Sequence, residues 1–188
     1  MATVVLFHHV QGLTVGILDF ADELRAAGHV VYTPDLFEGR TFTKLEGGME
    51  YAKSLGFGTI LDRGMQAGEK FPSDSVYAGF SMGVMPAQKL VQTRPGARGA
   101  LFFHSAIPLD EFGGAWPKGV PLQIHTMEHD EMGDVEVAQQ LVKEVPGTEL
   151  YLYPGNRHLF TDSSLPEYDD PAAALVKSRA LRFLAEKS

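Results

Sequence analysis

The stretch that decides the fold of this 188-residue chain runs from Ser75 to Gly83 and reads SVYAGFSMG. Its first six residues favour a buried strand, and a helical pattern follows Ser81. Between them lies a G-x-S-x-G motif, which places Ser81 in a sharp, strained turn. Glycine is needed on both sides because side chains there would collide with neighbouring backbone. The motif therefore predicts a serine hydroxyl at a helix N-terminus, where backbone N–H groups and the helix dipole favour negative charge.

Short apolar runs alternate with longer amphipathic stretches on both sides of this segment, which indicates repeated βα units and a parallel sheet. The runs predict six strands, at residues 3–8, 29–33, 75–80, 99–104, 122–126 and 149–153. The amphipathic stretches predict helices at 15–27, at 59–71, after Ser81, at 135–145 and at 172–185, with Pro171 at the first helical position.

These elements fit one open, doubly wound α/β sheet that is mostly parallel and has helices on both faces. We expect a single domain spanning residues 1–188, with ligands bound outside the carboxyl ends of the strands. Residues 37–57 show a weaker pattern of scattered glycines and charges. We expect them to form a loop with a short helix that covers the functional site.

The composition narrows the classes of function. With 16 Lys and Arg against 24 Asp and Glu the net charge is −8, and no basic block is present, so a nucleic-acid partner is not expected. The absence of cysteine excludes disulfides, a thiol nucleophile and thiolate metal sites. The apolar runs are too short to cross a membrane, and residues 1–7 read as a strand instead of a signal peptide. We therefore expect no membrane partner and a cytoplasmic location.

A serine hydroxyl needs a base, so the G-x-S-x-G motif predicts a histidine further along the chain and a carboxylate between the two. Asp130 follows the predicted strand at 122–126, and His158 follows the strand at 149–153. Ser81 would attack, His158 would shuttle the proton, and Asp130 would orient the imidazole. Asp134 is the alternative acid, although an aspartate directly before a helix is typical of an N-cap.

Further groups at the same edge of the sheet are candidates for binding. The backbone N–H groups of Met82 and Val10 are expected to stabilise an oxyanion, with Gly12 allowing a close approach of the loop after the first strand. Side chains that are candidates for contact with substrate are His9, Gln11, His104 and Trp116. The alternative for the histidines is a hydrogen-bonded structural role, and for Trp116 it is anchoring of its own loop.

No cofactor or metal is expected. The glycines at 56 and 58 lack the third glycine of a dinucleotide-binding loop, and no phosphate-binding P-loop motif occurs. His125 and His129, together with Asp130, would be candidate metal ligands on a helix. Histidines four residues apart lie one turn above each other on a helix, however, and this segment is predicted to be strand and loop.

Several linked segments resemble the dienelactone hydrolase family, a compact branch of the α/β-hydrolases, over nearly the whole chain. They are the His9-x-x-Gly12-Leu13 loop, AAGHVV at 26–31 leading into PDLF at 34–37, the G-x-S-x-G motif, His125 five residues before Asp130, and YPG at 153–155 leading to His158. The resemblance implies a core of six or seven strands in the order 2-1-3-4-5-6. It also implies the Ser81, Asp130 and His158 assignment and an ester- or lactone-cleaving activity without a cofactor.

The chain departs from the family pattern at three positions. Ser81 stands where the best-known members have a cysteine, and His9 stands where they have a glutamate that activates the thiol. Asp162 replaces an arginine that helps bind the dienelactone carboxylate, and its repulsion is expected to disfavour that anionic substrate.

The leading hypothesis is a serine-dependent hydrolase of a small-molecule ester, lactone or thioester that acts through an acyl-enzyme. Acyl transfer to another acceptor stays open as an alternative. So does a non-catalytic binding or regulatory protein that keeps the fold.

Overall fold

A computed structural model describes residues 1–187, and in it the chain forms a six-stranded sheet. The strands are β1 (Thr3–Phe7), β2 (Val30–Tyr32), β3 (Val76–Phe80), β4 (Gly99–Phe103), β5 (Leu122–Met127) and β6 (Glu149–Tyr153). Their order across the sheet is β2-β1-β3-β4-β5-β6, and every neighbouring pair is parallel. The predicted α/β architecture and strand order are confirmed.

Helices cover both faces of this sheet. The α-helices are α1 (Val15–Ala26), α2 (Leu45–Leu55), α3 (Phe57–Gly68), α4 (Val84–Thr93), α5 (Val135–Glu144) and α6 (Asp170–Ala185), and two 3₁₀ turns span Ser81–Gly83 and Leu109–Phe112. Helices α2 to α5 pack on one face and α1 and α6 on the other. Strands β3, β4 and β5 are buried throughout, which explains the uninterrupted apolar runs of β3 and β4. Within residues 1–187, none of the helices combines the length and apolar character needed to span a bilayer.

The register of the sheet aligns the carboxyl ends of the central strands. Phe7 pairs with Gly79, Phe80 pairs with Phe103, and Phe103 pairs with His125. Because the strands are parallel and in this register, the residues that follow them emerge at the same edge. This edge is where the candidate side chains were expected to meet.

Three local predictions need adjustment. Residues 37–57 contain α2, a helix of 11 residues, and Gly56 with φ +83° separates it from α3. Helix α3 begins at Phe57, earlier than predicted. Helix α6 begins at Asp170 because the Asp169 side chain accepts a hydrogen bond from the Ala172 N–H and caps the helix. The proline at 171 therefore occupies the second helical position instead of the first.

Candidate active site

Ser81 lies in a strained turn directly after β3. Its φ is +49°, a left-handed value that is uncommon for a residue with a side chain. A Cβ at Gly79 would lie 2.2 Å from the Gly83 carbonyl oxygen, and a Cβ at Gly83 would lie 2.4 Å from the Phe7 carbonyl oxygen. Both contacts are with backbone, which cannot move aside as a side chain can. The predicted need for glycine on both sides of Ser81 is therefore confirmed.

Three side chains from the loops after β3, β5 and β6 form a continuous chain of hydrogen bonds. Ser81 Oγ lies 2.9 Å from His158 Nε2, and His158 Nδ1 lies 2.7 Å from Asp130 Oδ2. A carboxylate can only accept, so His158 Nδ1 carries the proton and Nε2 presents its lone pair to the Ser81 hydroxyl. Asp130 and His158 are both buried. The structure therefore brings these three residues together, with the serine next to a base whose orientation is held by an acid.

Asp130, and not Asp134, is the carboxylate in contact with His158. Asp130 is held by its own loop, since its Oδ1 accepts a hydrogen bond from the Met132 N–H at 3.0 Å. The Asp134 carboxylate accepts a hydrogen bond from Ser105 Oγ at 2.7 Å. Asp134 occupies the N-cap position of α5, as predicted, but its φ is +51° and its side chain caps no N–H group of the helix.

The two residues whose backbone N–H groups are candidates for binding an oxyanion, Met82 and Val10, lie in the turn at Ser81 and in the loop after β1. Met82 lies at the start of the turn after Ser81, where the first amides of a helical segment have no intrahelical acceptor. Val10 lies in the loop after β1, and its amide has no acceptor within residues 1–187. Both residues line the same cavity as Ser81. Gly12, with φ +92°, allows this loop to pack closely on the Arg40 carbonyl, from which a Cβ would lie only 2.2 Å away.

A cavity of about 540 Å³ opens beside Ser81 and His158. This volume lies within the range of small-molecule sites. Most of its walls are apolar, and α2 and α3 cover it with Leu45, Met49, Phe57 and Leu61. The cover predicted from residues 37–57 is confirmed, and it extends into α3. Phe112, from the turn after β4, also lines the cavity.

The residues that line this cavity include an acidic set, here called the acidic wall. It contains Glu111 and Asp134 together with Ser105, and no lysine or arginine is among the residues that line the cavity. Sequence reasoning missed Glu111, because it lies in the Leu109–Phe112 turn with no motif around it. Ser105 had a signal, since it follows β4 closely at the carboxyl edge of the sheet.

His158 also lines a second, more polar cavity of about 480 Å³ that does not include Ser81. Arg157, which carries a guanidinium group, is among the residues that line this second cavity. That group is engaged within the protein, since it donates to the Tyr168 carbonyl at 2.9 Å and lies 3.7 Å from an oxygen of Asp169. His158 thus lines both an apolar cavity and a more polar one.

The predicted contact of His9 with substrate is wrong, because both of its ring nitrogens are used inside the protein. His9 Nδ1 accepts a hydrogen bond from the Gln11 N–H at 3.1 Å, and Nε2 donates to Asp162 Oδ2 at 2.8 Å. The side chain has no exposed surface, and burial lowers the pKa of His9, in agreement with a neutral ring. The pair links the loop after β1 to the segment that follows His158.

Asp162 points into this buried network and not into the cavity. Its carboxylate also accepts hydrogen bonds from the Thr14 hydroxyl and from the N–H and hydroxyl of Ser164. Burial alone would raise the pKa of Asp162, but the hydrogen bonds from His9, Ser164 and Thr14 outweigh it and lower that pKa. The expected repulsion between Asp162 and an anionic substrate is therefore wrong.

His104 does not line the Ser81 cavity either and has no exposed surface, so its predicted contact with substrate is also wrong. It is fully buried, and its Nε2 is hydrogen bonded to Thr161 Oγ1 at 2.7 Å. Burial places the pKa of His104 well below the usual 6.5, so the ring is neutral. The ring packs edge-on against the His158 ring, with 5.9 Å between centroids. His104 thus forms part of the wall against which His158 rests.

Gln11 and Trp116 also have structural roles that explain their positions. The Gln11 side chain donates to the Phe42 carbonyl at 3.0 Å and lines the second cavity but not the Ser81 cavity, so its contact with substrate stays a prediction. Trp116 Nε1 donates to the Val120 carbonyl at 2.7 Å and lines neither cavity. Anchoring of its own loop, the alternative considered for Trp116, is the role that the structure supports.

The histidine considered as a metal ligand in β5 is also engaged. His125 bonds through one ring nitrogen to the Tyr153 hydroxyl and through the other to Gln123 Oε1, both at 2.8 Å. Burial lowers its pKa to about 3, so the ring is neutral. In the described part of the chain, no three acidic or histidine side chains are grouped so that they would share a metal ion.

Comparisons with known proteins agree with this geometry. The profile of the dienelactone hydrolase family matches residues 1–188. Among proteins with curated descriptions, none matches the chain.

Solved structures show the same fold at low sequence identity. A Klebsiella pneumoniae protein assigned to the dienelactone hydrolases has a TM-score of 0.76 at 16% identity, covering 98% of this chain and 87% of its own. A dienelactone hydrolase from Anabaena variabilis has a TM-score of 0.72 at 16% identity, covering 99% and 86%. A dienelactone hydrolase-like promiscuous phosphotriesterase from metagenomic libraries has a TM-score of 0.70 at 16% identity, also covering 99% and 86%. Because the family profile spans the whole sequence, the chain belongs to the dienelactone hydrolase family and is a hydrolase that acts on ester bonds.

Proposed function

We propose that this protein cleaves a small carboxylic ester or lactone by forming an acyl-enzyme on Ser81. His158 acts as the general base and acid, and Asp130 orients its imidazole. The observation that carries the proposal is the unbroken chain of hydrogen bonds, 2.9 Å from Ser81 Oγ to His158 Nε2 and 2.7 Å from His158 Nδ1 to Asp130. Ser81 and His158 border a cavity large enough for a small ester.

The proposed reaction follows from where the protons lie. Ser81 Oγ attacks the carbonyl carbon while His158 Nε2 takes the hydroxyl proton. The imidazolium that forms is stabilised by the buried Asp130 carboxylate. His158 then gives the proton to the leaving alcohol oxygen, which departs as the C–O bond breaks. Water repeats the sequence on the acyl-enzyme and frees the carboxylic acid.

Charge on the carbonyl oxygen develops next to the backbone amides of Val10 and Met82. Donors preorganised at such a position require little rearrangement when the negative charge appears. Loss of one donor of this kind typically lowers kcat by about 10²–10³. The N-terminus of the Ser81–Gly83 turn faces the same region and adds a favourable dipole.

Acyl transfer to an acceptor other than water is the second candidate. It needs the same three side chains, and the polar cavity beside His158 provides a place from which an acceptor would approach. Product analysis with competing alcohols, amines and thiols separates the two reactions. Free acid as the sole product supports hydrolysis, whereas a new ester, amide or thioester supports transfer.

A fluorophosphonate probe tests the proposed nucleophile directly. We expect the wild-type protein to be labelled at Ser81, labelling to vanish in Ser81→Ala, and labelling to fall sharply in His158→Ala. A wild-type protein that folds normally but takes no label and turns over no ester would contradict the proposal. That outcome would favour the non-catalytic binding protein.

A matched pair of variants tests the proposed acid. Asp130→Asn should lower kcat for a short-chain aryl ester by a factor on the order of 10³–10⁴, because the amide does not stabilise the imidazolium and allows the wrong tautomer. Asp134→Asn removes the same charge only four residues away, and we expect a far smaller loss. A severe loss in Asp134→Asn alone would overturn the assignment of Asp130.

Three further expectations stay proposals drawn from the sequence. They are a cytoplasmic location, a single domain over residues 1–188 and the lack of a nucleic-acid partner.

A further inference from the structure

The charges that line the cavity beside Ser81 indicate which class of ester the protein cleaves. This inference rests on the proposed function. We infer that the substrate has an apolar group and no negative charge, and that esters with a positive charge are preferred. The carboxylates of Glu111 and Asp134 supply this preference from the acidic wall of the cavity. A cationic ester of this class joins an apolar chain to an ammonium group.

Neither carboxylate of this wall is neutralised by a cationic side chain. Within residues 1–187, Glu111 and Asp134 form no ion pair with a lysine or arginine. Among the residues that the structure describes, the only polar partner of the Asp134 side chain is the Ser105 hydroxyl at 2.7 Å, which leaves the negative charge in place. The cavity therefore carries two uncompensated negative charges and no lysine or arginine.

The backbone and the Ser105 contact hold Asp134 in a defined position, although its side chain is exposed. The backbone at Asp134 is in the left-handed conformation with φ +51°, and His104, which precedes Ser105, has φ +63°. The two loops that follow β4 and β5 are thus joined at the cavity by one side-chain hydrogen bond. A carboxylate held in this way faces a bound substrate at a fixed position.

The apolar residues that line the same cavity strengthen this effect. Charges interact more strongly beside low-dielectric surfaces than in open water, and clefts of one sign concentrate ligands of the opposite sign. The guanidinium of Arg157, which lines the second cavity, is already occupied by Tyr168 and Asp169. The structure therefore discriminates against an anionic ester by charge at Glu111 and Asp134, and not by Asp162 as the sequence suggested.

The test compares three butyrate esters of nearly equal shape. They are butyrylcholine, its neutral carbon analogue 3,3-dimethylbutyl butyrate, and the anionic butyrate ester of 4-hydroxy-2,2-dimethylbutanoate. We expect kcat/KM to fall in that order, with a ratio of cation to anion of at least roughly tenfold at low ionic strength that decreases as salt is added. A ratio of one or below, with the neutral ester turned over, overturns the inference and leaves the proposed function standing.

Charge-neutral variants assign the preference to the acidic wall. Glu111→Gln and Asp134→Asn should each lower the ratio of cation to anion by roughly two- to fivefold, since each removes one partly exposed charge. Asparagine tolerates the left-handed backbone at 134 and keeps an acceptor for Ser105, so folding is preserved. Asp110→Asn is the matched control, because Asp110 neighbours Glu111 but does not line the cavity.

The outcomes of the variant series are distinct. A ratio that falls in both wall variants and not in Asp110→Asn supports the inference. An equal ratio in the wild-type protein and in the double wall variant overturns it. If no ester is hydrolysed and the fluorophosphonate does not label Ser81, the proposed function fails and this inference fails with it.

Discussion

The buried network around Asp162 gives a prediction whose size follows from the structure. Asp162 Oδ2 accepts from His9 Nε2 and from the Thr14 hydroxyl, and Oδ1 accepts from the Ser164 N–H at 2.9 Å and from its hydroxyl at 2.6 Å. All the partners of this carboxylate are donors. Asp162→Asn keeps the shape of the side chain but replaces one accepting oxygen with a donating amide.

Neither orientation of the new amide satisfies its neighbours. If its nitrogen replaces Oδ2, it faces the N–H of His9, which cannot move to Nδ1 because that atom accepts from the Gln11 N–H. If it replaces Oδ1, it faces the backbone N–H of Ser164. One strong hydrogen bond is therefore lost and one buried donor is left without an acceptor. We expect the free energy of unfolding to fall by about 3 kcal/mol and Tm to fall by about 6–12 °C.

Urea unfolding at pH 7, followed by circular dichroism, measures this change. Asp22→Asn is the control, because it makes the same chemical change at an exposed side chain paired with Arg25, where the expected loss is below about 1 kcal/mol. An Asp162→Asn protein within 1 kcal/mol of the wild type would refute the argument. It would mean that the carboxylate contributes little net stability, or that the network rearranges around the amide.

Two further predictions concern acid stability and the turn at Ser81. Because His9, His104 and His125 are neutral in the folded protein, the unfolded chain takes up extra protons as the pH falls below 6.5, and stability is lost. Between pH 7 and pH 5.5 we expect a loss of at least about 2.5 kcal/mol, the sum for His104 and His125 alone, measured by urea unfolding across that range; a flat profile would contradict it. Gly83→Ala should destabilise the protein by at least about 2 kcal/mol in thermal or urea unfolding, because its Cβ would meet the Phe7 carbonyl at 2.4 Å. Gly58→Ala, where no atom lies within 4 Å of the added Cβ, should not destabilise, and equal effects of the two would disprove the steric argument.

The features that were predictable from the sequence depend on local patterns and on one general rule. Buried parallel strands need apolar runs, the turn at Ser81 needs its two glycines, and residues after parallel strands share one edge. These conditions were enough to bring Ser81, Asp130 and His158 together from three distant segments. They were also enough to favour Asp130 over Asp134, since Asp130 lies nearer the end of β5.

The direction and partners of the other polar side chains were not predictable. His9 follows β1 at the correct edge, but it turns inward to Asp162, which lies 153 residues further along the chain. His104 follows β4 and is buried in the same way. No local pattern encodes such long-range pairings, because they depend on how loops from different strands pack together. Glu111 was missed because it enters the cavity from a turn without a motif.

Backbone strain is concentrated at the edge of the sheet that carries the candidate site. Within residues 1–187, five residues other than glycine have a positive φ, and each follows a different strand from β2 to β6: Glu38, Ser81, His104, Asp134 and Leu159. A left-handed conformation costs a residue with a side chain about 1–2 kcal/mol, so the five together oppose folding by an amount comparable to the net stability of a domain. Glycine would relieve this strain, but at positions 81, 104 and 134 it would also remove the hydroxyl beside His158, the ring that supports it and the carboxylate of the acidic wall. At these three positions the strained residue also makes a contact that builds the candidate site. A glycine substitution that stabilises the protein there should therefore weaken the chemistry proposed for the site.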